Sequence, residues 1–127
     1  MDRRTFLAAG SGAVVGAAAG CLGSGGLDPS RLDLTVRNDG DGPVDVEVVV
    51  EGNDGTTYAT ESDRIDAGVA RAFEAVAGAT GRHEVTVTGP DWEGRLAWDA
   101  DFCGRYDATV AVDAATVEVA GECAAPR

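Results

Sequence analysis

The chain is 127 residues long and carries 22 acidic residues against 10 arginines, with no lysine, for a formal net charge of -12. That sign excludes nucleic acid as a default partner, because a phosphate backbone needs a basic face. A hydrophobic content of 44%, much of it valine, sets the chain apart from disordered polyanions.

The chain opens with Asp2-Arg3-Arg4-Thr5-Phe6-Leu7. An uncharged run of small and apolar residues follows and ends at Ala18-Ala19-Gly20-Cys21. Charge, apolar run and small-residue site in that order make a secretory signal. The alternative, a transmembrane helix, needs about 20 apolar residues, and this run is shorter and diluted by Gly10, Gly12, Gly16 and Gly20. Arg3, Arg4, Phe6 and Leu7 resemble the twin-arginine motif, whose machinery exports folded proteins; Asp2 stands where Ser or Thr is usual. Ala18 to Cys21 resembles a lipobox, with Ala18 where Leu is preferred. The resemblance implies that Cys21 becomes the lipidated first residue of a mature protein on the extracellular face of the cytoplasmic membrane.

Residues 1–21 removed, 106 residues remain, enough for one domain. They hold 21 acids against 8 arginines, a net charge of -13. This balance resembles proteins of extreme halophiles, in which concentrated salt screens self-repulsion. With the leader, the chain resembles a haloarchaeal surface lipoprotein.

Residues 22–31 are rich in Gly and Ser, with Pro29, and read as a tether of about 17 Å mean reach. The domain is expected over 32–127. Leu32, Leu34 and Val36 alternate with Asp33, Thr35 and Arg37, the pattern of a half-buried strand. Asn38 to Pro43 is a turn. Val44, Val46, Val48 and Val50 mark the clearest strand. Asn53-Asp54-Gly55 turns the chain into a short strand, Thr56 to Thr60. Asp63 to Thr80 is ambiguous: Ala70 to Val76 has helical composition, but it lacks a 3.6-residue period and its neighbours are strands, which favours a strand. His83-Val85-Val87, Leu96-Trp98-Ala100, Tyr106-Ala108-Val110-Val112 and Val117-Val119 each alternate with polar or small residues.

Eight short strands with frequent turns predict an all-β fold, a single antiparallel β-sandwich of seven to eight strands. Cys103 and Cys123 lie ten residues either side of Asp113. In an exported chain that pair reads as one disulfide, stapling the foot of a hairpin turned near Asp113-Ala114. If Val110 faces Val117, Cys103 falls one residue out of phase, which a bulge at Gly104 corrects. The spacing of the strands and of these cysteines resembles the Ig-like, CARDB-like β-domains of haloarchaeal surface proteins over most of residues 32–123.

Catalytic and metal chemistry finds little material. A blue-copper site needs two His, a Cys and usually a Met; the chain has His83 alone, and its one methionine is Met1. An EF-hand loop ending its turn at Gly42 would start at Arg37 and close at Val48, neither an acid. Asp99, Asp101 and Asp107 offer carboxylates, as any chain this acidic does. Trp92, on the turn Gly89 to Gly94, is a candidate exposed contact or a cap on the sandwich end. The sequence therefore points to a non-enzymatic, lipid-anchored interaction or structural module, with no cofactor, whose partners are membrane lipid through Cys21 and an envelope protein. The alternative is a binder of a small ligand or Ca²⁺ at Asp39 to Asp41 and Trp92.

Self-repulsion at a net charge of -13 predicts a domain that unfolds in dilute buffer and refolds in molar KCl. Thermal melting across a KCl series checks this; equal melting temperatures at both ends defeat the halophile reading.

Overall fold

The computed structural model describes residues 28–127. The export residues Arg3, Arg4, Phe6 and Leu7 and the lipidation residue Cys21 lie outside them. Among the described residues there are eight strands and no helix: β1 (Arg31–Asn38), β2 (Val44–Gly52), β3 (Thr57–Ile65), β4 (Ala70–Val76), β5 (Arg82–Thr88), β6 (Glu93–Asp99), β7 (Cys103–Asp113) and β8 (Thr116–Pro126). They form two four-stranded sheets, ordered β4-β1-β7-β8 and β3-β2-β5-β6.

The all-β sandwich is the one the alternation predicts. Residues on one face of each strand meet in the middle: Leu32, Leu34 and Val36 from β1, Val46, Val48 and Val50 from β2, Val85 and Val87 from β5, Val110 and Val112 from β7. Valine dominates because a short β-branched side chain is stiff at χ1 and suits a pleated, buried surface. Each such side chain contributes about 1.5–3 kcal/mol when fully buried. The ambiguous stretch resolves as strand β4, which places Phe73 in the core.

Several details depart from expectation. The third strand continues past Thr60 to Ile65. The β1–β7 pairing is parallel, with Leu34 beside Ala108 and Val36 beside Val110, in an otherwise antiparallel ladder system. Strands β1 and β2 lie in opposite sheets, whereas antibody domains pair their first two strands in one sheet. In the last hairpin Val110 faces Val119, and Val112 faces Val117, because the two-residue turn lies one place later than expected, at Ala114-Ala115 between the paired Asp113 and Thr116.

The disulfide joins Cys103 and Cys123 across neighbouring strands, with Cα atoms 5.7 Å apart. Register shifts flank Arg105, so the ladder is irregular at the Gly104 position where phase had to be corrected. A loop of this size constrains the unfolded chain by about 3 kcal/mol in the chain-entropy account.

The residue that locks the sheets together lies where a tether was expected. Ser30 is 0% exposed. Its hydroxyl accepts a hydrogen bond from Trp98 Nε1 at 2.8 Å and donates to the Cys103 carbonyl at 3.1 Å. Its backbone pairs with Gly78 and Ala77. One side chain thus joins β6 of one sheet to β7 of the other. Beside it runs a column of rings: Tyr58 against His83 with centroids 5.2 Å apart, His83 stacked on Trp98 at 5.5 Å, and Trp98 on Tyr106 at 5.4 Å. His83 is buried with both nitrogens occupied: Nδ1 faces the Gly81 carbonyl and Nε2 accepts from Gly78 N–H.

Ser30→Ala strands the indole N–H and a carbonyl in a dry interior and should cost about 1–3 kcal/mol, read as a lowered denaturation midpoint with an unchanged slope. Burial pushes the Tyr106 phenol up from its ordinary value, so the fold favours the neutral form. Its contribution is whole below about pH 10, where a free phenol titrates, and is lost as pH climbs through the higher folded value. A Tyr106→Phe variant should therefore resist alkaline unfolding better than the parent, measured by pH-jump circular dichroism.

Candidate functional site

The two ends of the sandwich differ. At the end where β1 starts, the chain enters and leaves. At the other end four turns converge, and Asn38 organises them. It closes β1 at 2% exposure. Its Nδ2 donates to Gly42 O at 2.8 Å and Ile65 O at 3.0 Å, and its Oδ1 accepts from Gly40 N–H at 2.9 Å. Its backbone pairs with Gly68 and Val69. One asparagine, used as an Asx turn, thereby fixes both the β1–β2 and the β3–β4 connections.

The β5–β6 turn folds Trp92 inward. Its carbonyl accepts from Gly89 N–H at 3.0 Å, and the indole lies so close over Gly89 that a Cβ there would collide with it. Trp92 is 8% exposed. The exposed-contact reading is thereby corrected: this tryptophan plugs the end of the core, and a glycine three residues before it makes room.

Between these turns lies a cleft of about 470 Å³, lined by Pro43, Val44, Trp92, Val112 and Ala114, with Asp41, Asp91 and Asp113 around it. Two irregularities single it out. Trp92 Nε1 is buried with no hydrogen-bond partner, a cost native proteins rarely leave unpaid. Ala114 has φ +56°, the single non-glycine in the left-handed region among the described residues. A two-residue hairpin turn calls for positive φ, usually supplied by glycine or asparagine, and strained backbone tends to gather at functional sites. A second hollow of about 380 Å³ adjoins, bordered by Asp39, Asp113 and Glu118. The depression on the face of the other sheet, about 420 Å³ between Asp45, Glu47, Ser62 and Asp63, has neither irregularity.

Acids outnumber arginines at this end, seven to three. Arg37 is taken up by Asp39 at 3.0 Å, and that hydrogen bond and charge raise its guanidinium above the ordinary value. Both side chains are about half exposed, so the pair adds little stability. Among the described residues no group of three or more His, Cys, Asp or Glu stands together as a metal site. The turns named in the small-ligand or Ca²⁺ alternative do meet: Asp41 and Trp92 share the cleft.

The other candidates scatter. Asp99 and Asp101 serve the β6–β7 turn, accepting from Asp101 N–H at 2.9 Å and Gly81 N–H at 3.3 Å. Asp107 lies in β7, 3.6 Å from Arg105. Sequence reasoning missed Asn38 and Ser30; the signal, a small polar residue bounding an apolar alternation at each end, is visible only in retrospect.

No family model matches the chain, and no curated protein matches it in sequence. Among solved structures it is similar to the crystal structure of the T6SS lipoprotein TssJ1 from Pseudomonas aeruginosa, with a TM-score of 0.55 and 10% identity over 74% of this chain and 97% of that one. A looser likeness, TM-score 0.43 and 20% identity over 76% of this chain and 90% of that one, is to a protein from Eubacterium rectale solved by NMR. At 10% identity the first likeness bears on the fold alone.

Proposed function

We propose that this chain is an exported, membrane-anchored binding module without catalytic activity. In this reading Arg3, Arg4, Phe6 and Leu7 direct export, Cys21 carries the lipid, the residues from 22 to the ordered Ser30 form a short tether, and the following sandwich presents its far end to an envelope protein. The carrying observation is the placement of the cleft: it lies at the end of β1 opposite the one where the chain enters. A domain tied to lipid at its entry end holds that cleft outward. The likeness to a T6SS lipoprotein supports a lipoprotein role within an envelope assembly. The acids around the cleft suit a partner segment bearing Lys or Arg, with apolar contact to Pro43 and Val112. A small ligand is the second reading. The cleft volume falls in the range of small-molecule sites, and an aromatic ring, Trp92, lines it.

Two substitutions test this. Cys21→Ser should release folded protein from membranes into the medium, followed by fractionation; retention on the membrane would defeat the anchor. Ala115→Arg, on the exposed rim of the cleft, should weaken partner co-purification from crosslinked membranes by about tenfold or more, as interface disruptions of ~1.4 kcal/mol do, at unchanged melting temperature. Undiminished capture would place the binding surface elsewhere.

A further inference from the structure

The entry end has a surface of its own. Asp28 and Ser30 lead the chain in beside the β6–β7 turn, and Arg127 ties Asp28 to that turn: its Nη2 donates to Asp28 O at 2.6 Å and its Nε to Ala100 O at 2.7 Å. At the tip of that turn Phe102 is 71% exposed. Its backbone is held on both sides, its N–H donating to Asp99 O and its carbonyl accepting from Arg127 N–H, each at 3.1 Å. The phenyl ring is thus presented to solvent by a fixed loop. Of the four large apolar side chains left exposed among the described residues, Phe102, Val76 and Tyr58 belong to this end; the fourth, Val119, lies along β8. The far end exposes none.

Charge divides the same way. The connections at the entry end hold Asp28, Glu51, Asp54, Asp99 and Asp101 against three arginines, Arg31, Arg82 and Arg127. Those at the far end, with the strand residues beside them, hold Asp39, Asp41, Asp45, Asp66, Asp91, Glu93 and Asp113 against Arg37, Arg64 and Arg71. The less repelled end is the more apolar one, and it is where the preceding 27 residues join. Ser30 lies nine chain steps beyond Cys21, at most about 30 Å when stretched and near 17 Å when relaxed.

We propose that the entry end rests on the lipid surface, with Phe102 seated in the interface as a second contact beside the Cys21 anchor. This rests on the reading of Cys21 as the site of lipid attachment. One apolar contact alone binds membrane only marginally, but a second one added to an existing anchor fixes the orientation. In molar salt the Debye length shrinks to about 3 Å, so the acids of this end do not hold it off the headgroups. The two contacts set the sandwich upright and its cleft outward.

The test uses the full exported protein, processed and anchored, in phosphatidylcholine vesicles with brominated acyl chains in molar KCl. Phe102→Trp adds an indole at the proposed contact, while the native Trp92 and Trp98 are buried. Ala115→Trp places the same probe at the far end. The expected result is blue-shifted emission quenched about twofold or more by the brominated chains for the first variant only, as burial at the acyl boundary requires. Vesicle flotation with neither probe quenched overturns the contact and leaves the anchor intact. Absence of flotation overturns the anchor and the proposal with it. Shielding of the introduced indole from iodide in native membranes but not in pure vesicles assigns the surface to a protein and also overturns it.

Discussion

Strand β1 is the axis of this molecule, and a buried polar side chain at each of its ends holds it. Ser30 sits just before it and Asn38 closes it, both essentially without solvent. Between them Leu32, Leu34 and Val36 point into the core. A polar group in a dry interior is destabilising unless every donor and acceptor is met. Here partners come from far along the chain: Cys103 and Trp98 for Ser30, and Ile65, beside the nearby Gly42, for Asn38. Such bonds form only when both sheets and the crossing connections are in place. They therefore select one arrangement of strands from the several that the same valine pattern would tolerate.

What the sequence reveals follows from that division of labour. The alternation of Val44 to Val50 or His83 to Val87 is local, and period two is enough to read it. Strand order is not local. Nothing in Leu32 to Val36 announces a parallel neighbour at Tyr106 to Val112, because a parallel pair needs a crossover connection, and here the chain visits the other sheet in between. The register of the last hairpin slipped by two residues for a similar reason. Asp113 and Thr116 close a turn on Ala114, a residue no turn rule would choose. The cysteine pairing survived the slip because it depends on topology and distance, and an irregular ladder near Gly104 absorbs the difference.

The cleft was half legible. Asp41 and Trp92 stand out in sequence as a turn acid and an aromatic on a loop, and folding brings them into one hollow. Burial of the indole was not legible, because it depends on the missing side chain of Gly89 and on a turn geometry that only the folded chain displays. The acidic excess was plain from composition, yet its uneven division between the two ends appears only when the connections are sorted by where they lie. A fold shared with TssJ1 at 10% identity does not carry function with it, so function must be read from the sites on the fold.

The parallel partnership of β1 with β7 has a mechanical side. β1 starts at the end where the polypeptide arrives and finishes at the end bearing the cleft. It is flanked by seven residue pairs to β4 and eight to β7. A pull between those two ends runs lengthwise through this strand, so its rungs take the strain together in shear and cannot be peeled away one after another. A tug on whatever sits in the cleft would be borne by the best-braced segment of the molecule, while the looser outer strands stay out of the line of force.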